Sequence, residues 1–550
     1  LNTPENARFK NLDEQLKDFP YVNGKLFEEI LPMASFDGKM RQALLDCTYL
    51  DWSKISPAIF GSMFQSVMNP NERRNLGAHY TSEENILKLI KPLFLDDLWK
   101  EFELIKNNKN KLPEFHKKVS KLTFLDPACG CGNFLVITYR ELRLLELEIL
   151  RYQYKNQQVT NIENIIWLDV DKFFGIEYEE FPSKIAEVAM WLIDHQMNLK
   201  ISDEFGQYFA RLPLLKSATI INGDALELNW HTFESENPNV TKLYADSVEI
   251  TQISDNTNST YKVEIHSDKL KFAKTSKRKN SDEKYSYILG NPPFIGSRLM
   301  NKTQKLSLKK VFGNFKNAGD LDYVTGWFLK ASKYIIGSKT KVAFVSTNSI
   351  VQGLQANLLW QYLMGFYGIQ IHFAHRTFKW SNEAKGNAAV YCIIVGFANF
   401  NPISRKIFEY EDIKGVPHEI KVKNINQYLI DSKNIFLQRR QKPISEVPEM
   451  NFGNMPAEGG EFLFTDQEKN EFVELEPQSI PYFKEYISAA EFLNGKKRWC
   501  LWLEGINPSI LKELKLVYER VKNVRKIREV SSRPHLASTP HLFAQITQPI

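Results

Sequence analysis

Asn291-Pro292-Pro293-Phe294 follows the apolar run Tyr285-Ser286-Tyr287-Ile288-Leu289-Gly290. An amide, two carbonyls with no competing N–H and an aromatic face thus stand at the C-terminal end of a predicted strand, the edge where open α/β sheets hold their ligands. Such a set suits a planar ring that carries an amino group. The exocyclic amine of adenine or cytosine is a poor nucleophile because its lone pair is delocalised into the ring. Its hydrogens must be drawn toward acceptors so that the nitrogen becomes tetrahedral. The Asn291 side-chain oxygen and the Pro292 carbonyl are candidates for those acceptors. Pro292 and Pro293 have φ pre-set, so little entropy is left to lose, and Phe294 would stack on the ring. A strand that ends in a proline-stiffened turn can carry the same four letters, so the motif needs a companion.

The companion lies upstream in Phe124-Leu125-Asp126-Pro127-Ala128-Cys129-Gly130-Cys131-Gly132-Asn133-Phe134. Gly130 and Gly132 allow a tight strand-to-helix turn and close approach of a ligand to the backbone. The third glycine of the dinucleotide fingerprint is missing, which suits a nucleoside cofactor without a pyrophosphate. Two acids continue the series. Phe173-Phe174-Gly175-Ile176-Glu177 reads as a second strand ending in a carboxylate for both ribose hydroxyls. Thr219 to Asn222 reads as a third, followed by Asp224 and Ala225 at the place of an adenine amino group. Phe378 and Trp380, between two later strands, are candidates for the opposite stacking face of a base rotated out of a duplex, with Phe378 preferred.

In this order the motifs resemble the class I S-adenosylmethionine-dependent amino-methyltransferases of DNA. The resemblance implies a cofactor loop from Asp126 through Pro127, Ala128, Gly130 and Gly132 to Phe134. It makes Glu177 the ribose ligand, Asp224 and Ala225 the adenine ligands, and Asn291 to Phe294 the catalytic tetrapeptide. Asn75 to Ser82 is similar to the segment that closes over the methionine end of the cofactor, with Tyr80 and Thr81 as contacts. That segment comes first, an order that resembles the subgroup with C-terminal target recognition, which mostly makes N6-methyladenine. Asp320-Leu321-Asp322-Tyr323 resembles the motif that flanks the adenine pocket. Asp51 to Phe64, Gly77 to Ser82, Ala374 to Ala384 and Gly495 to Leu503 resemble the MmeI-type restriction–modification enzymes, type IIL within type IIG. In that family one polypeptide joins a nuclease, a helical connector, an adenine methyltransferase and a target-recognition domain.

Composition is compatible with this. Of 550 residues, 43% are hydrophobic and 25% charged, the range of a soluble globular protein with several domains. No apolar run approaches the roughly 18 residues of a membrane span, and a bacterial cytoplasmic location is expected. The net charge of +6 is modest. A basic run near the end, Lys522, Arg525, Lys526, Arg528 and Arg533, is the candidate for DNA phosphate contact. Lys262 to Lys284 reads as a mobile insertion. The five cysteines are scattered, and Cys129 and Cys131 lack the spacing of a zinc site, so no metal is expected. Cytosine C5 methylation needs a cysteine nucleophile beside its proline, and positions 291 to 294 hold none.

The elements that position these residues follow from periodicity. Strands are predicted at 123–126, 173–177, 219–222, 285–289, 341–346, 369–374 and 388–397, alternating with helices. That is an α/β, Rossmann-like, doubly wound sheet with a closing strand pair. Glu83 to Glu103 is predicted as one long helix with Ser82 at its N-cap, and Ser509 to Val530 as another. Glu177 falls further after the glycine turn than the roughly 20 residues of a minimal βαβ unit, so Lys155 to Asp171 reads as an insertion. The expected domains are a helical connector at 1–74, a methyltransferase at 75–400 and an α+β target-recognition domain at 401–550. The chain starts with Leu and stops abruptly, and is read as a fragment with the recognition domain incomplete and the nuclease missing. The expected activity is N6-adenine methylation of double-stranded DNA. Rival readings are N4-cytosine methylation, glutamine methylation of a protein, and a catalytically silent DNA-binding subunit.

Overall fold

The computed structural model describes residues 37–49, 55–59, 61, 81–155, 162–206, 218–232, 248–255, 258–265, 284–313, 315, 317–380, 390–436, 445–447 and 452–547. The chain divides into two compact units, Leu1–Gln438 and Arg439–Ile550. Of the connector expected at 1–74, α1 (Gly38–Thr48) is the main described element. Asn75 to Tyr80 lie outside the described residues, as do 266–283 of the expected mobile insertion.

The helix expected from Glu83 to Glu103 is instead α2 (Glu83–Ile90), one π turn (Lys91–Leu95) and α3 (Asp96–Ile105). Pro92 explains the break, since its ring collides with the carbonyl one turn back and it has no N–H to give; widening the turn relieves both. Ser82 stands at the N-cap with extended backbone, but its hydroxyl makes no capping bond.

After α4 (Lys111–Ser120) come β1 (Phe124–Asp126), α5 (Asn133–Gln153), β2 (Phe173–Glu177), α6 (Glu180–Phe205) and β3 (Thr219–Asn222). A hairpin of β4 (Val248–Asp255) and β5 (Asn258–Ile265) precedes β6 (Tyr287–Gly290). Then follow α7 (Lys302–Phe312), α8 (Thr325–Ile335), β7 (Lys341–Thr347), α9 (Gly353–Gly365), β8 (Gln370–Trp380), β9 (Val390–Ala398), β10 (Arg405–Glu409) and β11 (His418–Val422). The main sheet runs β11-β10-β8-β9-β7-β6-β1-β2-β3. Neighbours from β7 to β3 are parallel, and β9 is antiparallel to both β7 and β8. All seven expected strands are present, in a doubly wound sheet with a closing pair.

Alternation along the strands sends side chains to two cores. Phe124, Leu289, Ala343 and Val345 face α2 to α6. Ile288, Val342 and Phe344 face the other layer, with Phe328 of α8 and Trp360 of α9. The sheet does not end near Phe400 as expected. β10 pairs parallel with β8 through Ile407↔Ala374, and β11 adds antiparallel to β10. Both are short and rich in charge, and four of the five residues of β11 are exposed, the composition of a protected sheet edge.

The described part of the segment read as an insertion, from Ile162 onward, is packed. Ile162, Ile165 and Ile166 join Leu147, Leu150 and Ile201 between α5 and α6. Glu146 of α5 accepts the N–H of Trp167 at 2.8 Å and of Leu168 at 2.9 Å. It also pairs with His116 at 2.8 Å and Arg143 at 3.0 Å, all with side chains at or below 1% exposure. Arg143 continues to Asp194 at 2.9 Å and Asn198 at 2.7 Å on α6. Burial works to raise the Glu146 pKa, but the His116 hydrogen bond and the Arg143 charge outweigh it and hold the pKa below the usual value.

In the second unit β12 (Leu463–Thr465), α10 (Asp466–Leu475), β13 (Phe483–Glu485), α11 (Ala489–Asn494) and β14 (Arg498–Leu501) precede α12 (Pro508–Glu513) and α13 (Lys515–Glu529). The strands form an antiparallel sheet β12-β14-β13, and Phe464, Phe483 and Leu501 pack on Val517, Val521 and Val524 of α13. The single helix expected at 509–530 is broken at Leu514, whose ψ of 86° is not helical. Among the described residues no helix is long and apolar enough to cross a membrane.

The Arg143 network generates a stability prediction. Arg143→Met leaves Glu146 and Asp194 buried without their cation, a change that costs about 3–5 kcal/mol. Urea unfolding should show a lowered midpoint; an unchanged midpoint contradicts this account of how α5 is tied to α6.

Candidate active site at the carboxyl edge of the sheet

The chain runs outward from β1 to β2 and β3, then returns to place β6 on the other side of β1. The strand order therefore reverses between β1 and β6, and the crevice at their carboxyl ends is where open α/β sheets bind ligands. The glycine turn leaves β1 and the Asn-Pro-Pro-Phe loop leaves β6, so the topology brings the two motifs together.

The two glycines of the turn do different jobs. Gly132, with φ +84°, caps α5, and a Cβ there would stand 3.0 Å from the Ala186 Cβ, so it lets α6 pack closely. Gly130, with φ +54°, has open space where a Cβ would be. Its N–H donates to Glu177 Oε2 at 2.8 Å, while Glu177 Oε1 accepts from the Glu179 N–H at 3.1 Å. Of the acids at 177, 179 and 180, Glu177 is thus the one whose carboxylate meets the turn. Burial raises its pKa, against the pull of these N–H groups.

Asp126 is fully buried. Its Oδ1 accepts the Ala128 N–H at 3.0 Å and its Oδ2 has no partner. Burial, opposed by that N–H and reinforced by the Glu177 charge, pushes its pKa up to about 8. Asp224 is half-buried, taking the Leu226 N–H at 2.8 Å and the Ser307 hydroxyl of α7 at 3.0 Å. Ala225 beside it is buried, and the Pro127 carbonyl accepts from Trp327 Nε1 at 2.9 Å. Phe134 lies at 4% exposure in the core under α5, so its ring supports the turn from beneath.

On the β6 side Asn291 is half-buried. Its Nδ2 donates to the Thr81 hydroxyl at 3.2 Å, and its buried Oδ1 has no partner. Pro292 is buried, while Pro293 and Phe294 are half-buried. Asp322 braces this loop: its Oδ1 accepts the Ser297 N–H at 2.9 Å, its Oδ2 accepts the Ser349 hydroxyl at 2.6 Å, and the Tyr323 N–H reaches the Ile295 carbonyl at 2.9 Å. Asp322 lay in a string already noted as flanking the pocket. Ser307 carried no signal in the sequence, because only the fold brings α7 over Asp224.

Three expectations need correction or lie out of reach. Phe378 is 1% exposed, with Lys88 Nζ 5.2 Å from its ring centroid and the Tyr410 ring stacked at 5.2 Å. A ring so covered is core, and its pairing explains why: β8 runs to Trp380, so Phe378 faces Cys392, which faces Thr347 at the end of β7. Trp380 lies two residues beyond, at the strand terminus; its side chain, like Tyr80, is outside the described part. Of the basic run, Arg528 is 2% exposed, and its guanidinium donates to the carbonyls of Pro456, Ala457, Leu536, Thr539 and Leu542. It closes the second unit and is unavailable to phosphate. Lys522 pairs with Glu519 at 2.7 Å, whereas Arg525, Lys526 and Arg533 are exposed.

The MmeI DNA-methyltransferase domain matches residues 102–409, more than half of the chain, and the MmeI target recognition domain matches 431–549. The chain belongs to the MmeI family. DNA methyltransferase A of Bacillus subtilis (strain 168) is 38% identical over 537 residues, covering 96% of this chain and 55% of that protein. The solved structure of the type IIL restriction–modification enzyme MmeI in complex with DNA is 53% identical, covers all of this chain and 68% of the other, and superposes with a TM-score of 0.85. The chain thus spans just over half the length of its Bacillus relative. The doubly wound α/β sheet is the family's DNA-methyltransferase domain, and the target recognition domain follows it. Between the two MmeI matches lies 410–430, which contains β11, so the boundary falls later than 400 by sheet pairing and by family alike.

Asp126 generates a pH prediction. Below about pH 4 the folded and unfolded chains both hold its proton; between there and pH 8 only the folded chain does, so stability falls as pH rises through that window. Asp126→Asn should therefore melt like the parent at pH 4 and above it at pH 8. Parallel melting curves at both pH values refute the assignment.

Proposed function

We propose that this chain transfers a methyl group from S-adenosylmethionine to the N6 amino group of adenine in double-stranded DNA, as the methylating part of a fused restriction–modification enzyme. The observation that carries the reading is the buried, unpartnered Asn291 Oδ1 at the strand-order reversal, beside two prolines and the half-buried Phe294. An acceptor aimed at nothing in the protein is what a base amine requires. Family membership adds the DNA-methyltransferase and recognition domains.

The residues on the β1 side fit the cofactor. Gly130 leaves room at the turn, Glu177 presents a carboxylate to it, and Asp126 Oδ2 and Asn133 Oδ1 are further buried acceptors with no protein partner. Asp126, Gly130, Glu177 and Asp224 would hold the methionine, ribose and adenine parts, with Pro127, Ala128 and Ala225 as backbone and apolar contacts. When bound, S-adenosylmethionine supplies a methyl group on a positively charged sulfur.

The protein's own part is orientation and electrostatics. Phe294 stacks on the base, and Asn291 Oδ1 and the Pro292 carbonyl accept the two amino hydrogens, which pulls nitrogen lone-pair density out of the ring and toward the methyl group. Neither group is basic enough to keep a proton, so the surplus amino proton leaves to water. Charge is neutralised as the methyl moves, and fixed dipoles in a dry site favour that change more than mobile water does.

Asn291→Ala should leave cofactor affinity nearly intact and lower single-turnover methylation by roughly 10²–10³-fold, the effect of removing one preorganised polar group at the reacting atom. Incubation with unmodified genomic DNA followed by nucleoside analysis should show N6-methyladenine. Finding N4-methylcytosine, or undiminished transfer by the variant, rejects the reading.

A further inference from the structure

We propose that the Thr81 hydroxyl positions the Asn291 amide for methyl transfer, acting through Asn291. This rests on the function proposed above. Two independent observations carry it: Asn291 Nδ2 donates to Thr81 Oγ1 at 3.2 Å, and Asn291 Oδ1 is buried with no partner. Thr81 is 4% exposed and stands two residues before α2, so the acceptor is set on the rigid start of a helix whose Ile86, Leu89 and Ile90 are in the core.

An asparagine side chain following a strand rotates about two bonds, and a half-buried one with no tether samples several orientations. Only those that aim Oδ1 at the crevice can accept from a base amine. The Thr81 bond restrains the amide plane from its nitrogen end and leaves the oxygen end for the substrate. The two ends are also electronically linked. As Oδ1 accepts hydrogen bonds, the amide nitrogen becomes a better donor, so the bond to Thr81 strengthens when the target amine arrives and polarises. An interaction that tightens toward the transition state contributes to the rate and little to ground-state affinity.

The test compares the parent chain with Thr81→Val, which keeps the shape and removes the hydroxyl, and Thr81→Ser, which keeps the hydroxyl. S-Adenosylmethionine affinity is read by calorimetry, folding by thermal melting, and single-turnover methylation on unmodified genomic DNA at saturating cofactor. Expected is a loss of about ten-fold or more in the rate at saturating cofactor for Thr81→Val, with recovery in Thr81→Ser. Thr81→Val with the parent rate overturns the proposal. So does weakened cofactor binding with a normal rate at saturation, which makes Thr81 a cofactor ligand. Should Thr81→Val melt early, an equal rate deficit in Thr81→Ser, folded as the parent, overturns it as well. A parent chain that binds cofactor yet methylates no base rejects the functional reading itself, and the proposal with it.

Discussion

A Cβ at position 290 would fall inside the van der Waals envelope of Asp126 Oδ1, so the carboxylate that ends β1 and the strand that delivers Asn291 can lie side by side only because residue 290 has no side chain. The parallel pairing of β1 with β6 sets this approach, through Phe124↔Tyr287 and Leu125↔Ile288. The rest of the site hangs from it. The glycine turn projects from one strand end and the Asn-Pro-Pro-Phe loop from its neighbour, and the crevice between them is as narrow as two adjacent strands allow, about 4.8 Å.

Electrostatics divides the first unit into two kinds of buried charge. Around α5, Glu146 has a histidine, an arginine and two backbone N–H groups, and its pKa is held low. At the crevice, burial raises the pKa values of both Asp126 and Glu177, which have only backbone donors; the Glu177 charge adds to the shift of Asp126, and the Glu179 charge to that of Glu177. The first arrangement spends its polar groups on holding helices together. The second keeps a desolvated acidic pair poised for a ligand with a positive charge or hydroxyl hydrogens, at a cost in stability that grows with pH.

Bracing residues behind the crevice share one feature: each joins segments far apart in the chain. Ser307 reaches Asp224, Asp322 holds Ser297 and Ser349, and Thr81 meets Asn291. The catalytic loop is thereby fixed from both its flanks while the Asn291 Oδ1 stays unengaged. Preorganisation of this kind lets a weak acceptor such as an amide oxygen act on a base without paying for reorientation at the moment of reaction.

How much of this was legible in the chain depends on the range of the cause. Glycine positions, the strand-ending carboxylate Glu177 and the proline pair follow from local backbone chemistry, and the period-two apolar runs that mark seven strands do so as well. Pro92 was legible too, yet its effect, a π turn within a continuing helix, depends on packing that keeps the helix going past it. β10 and β11 escaped because both are short and rich in charge, and β11, at the sheet edge, needs no apolar alternation. Phe378 and Arg528 were misread because aromatic and basic letters do not say whether a pairing register or five carbonyls have claimed them. By itself, then, the sequence determined the fold class, the order of the motifs and the chemistry each could perform, since these rest on residue type and nearest neighbours along the chain. Only the tertiary structure decided which polar atoms are left without a partner, because a hydrogen bond between residues 210 positions apart, such as Asn291 to Thr81, exists only once the sheet has closed the distance.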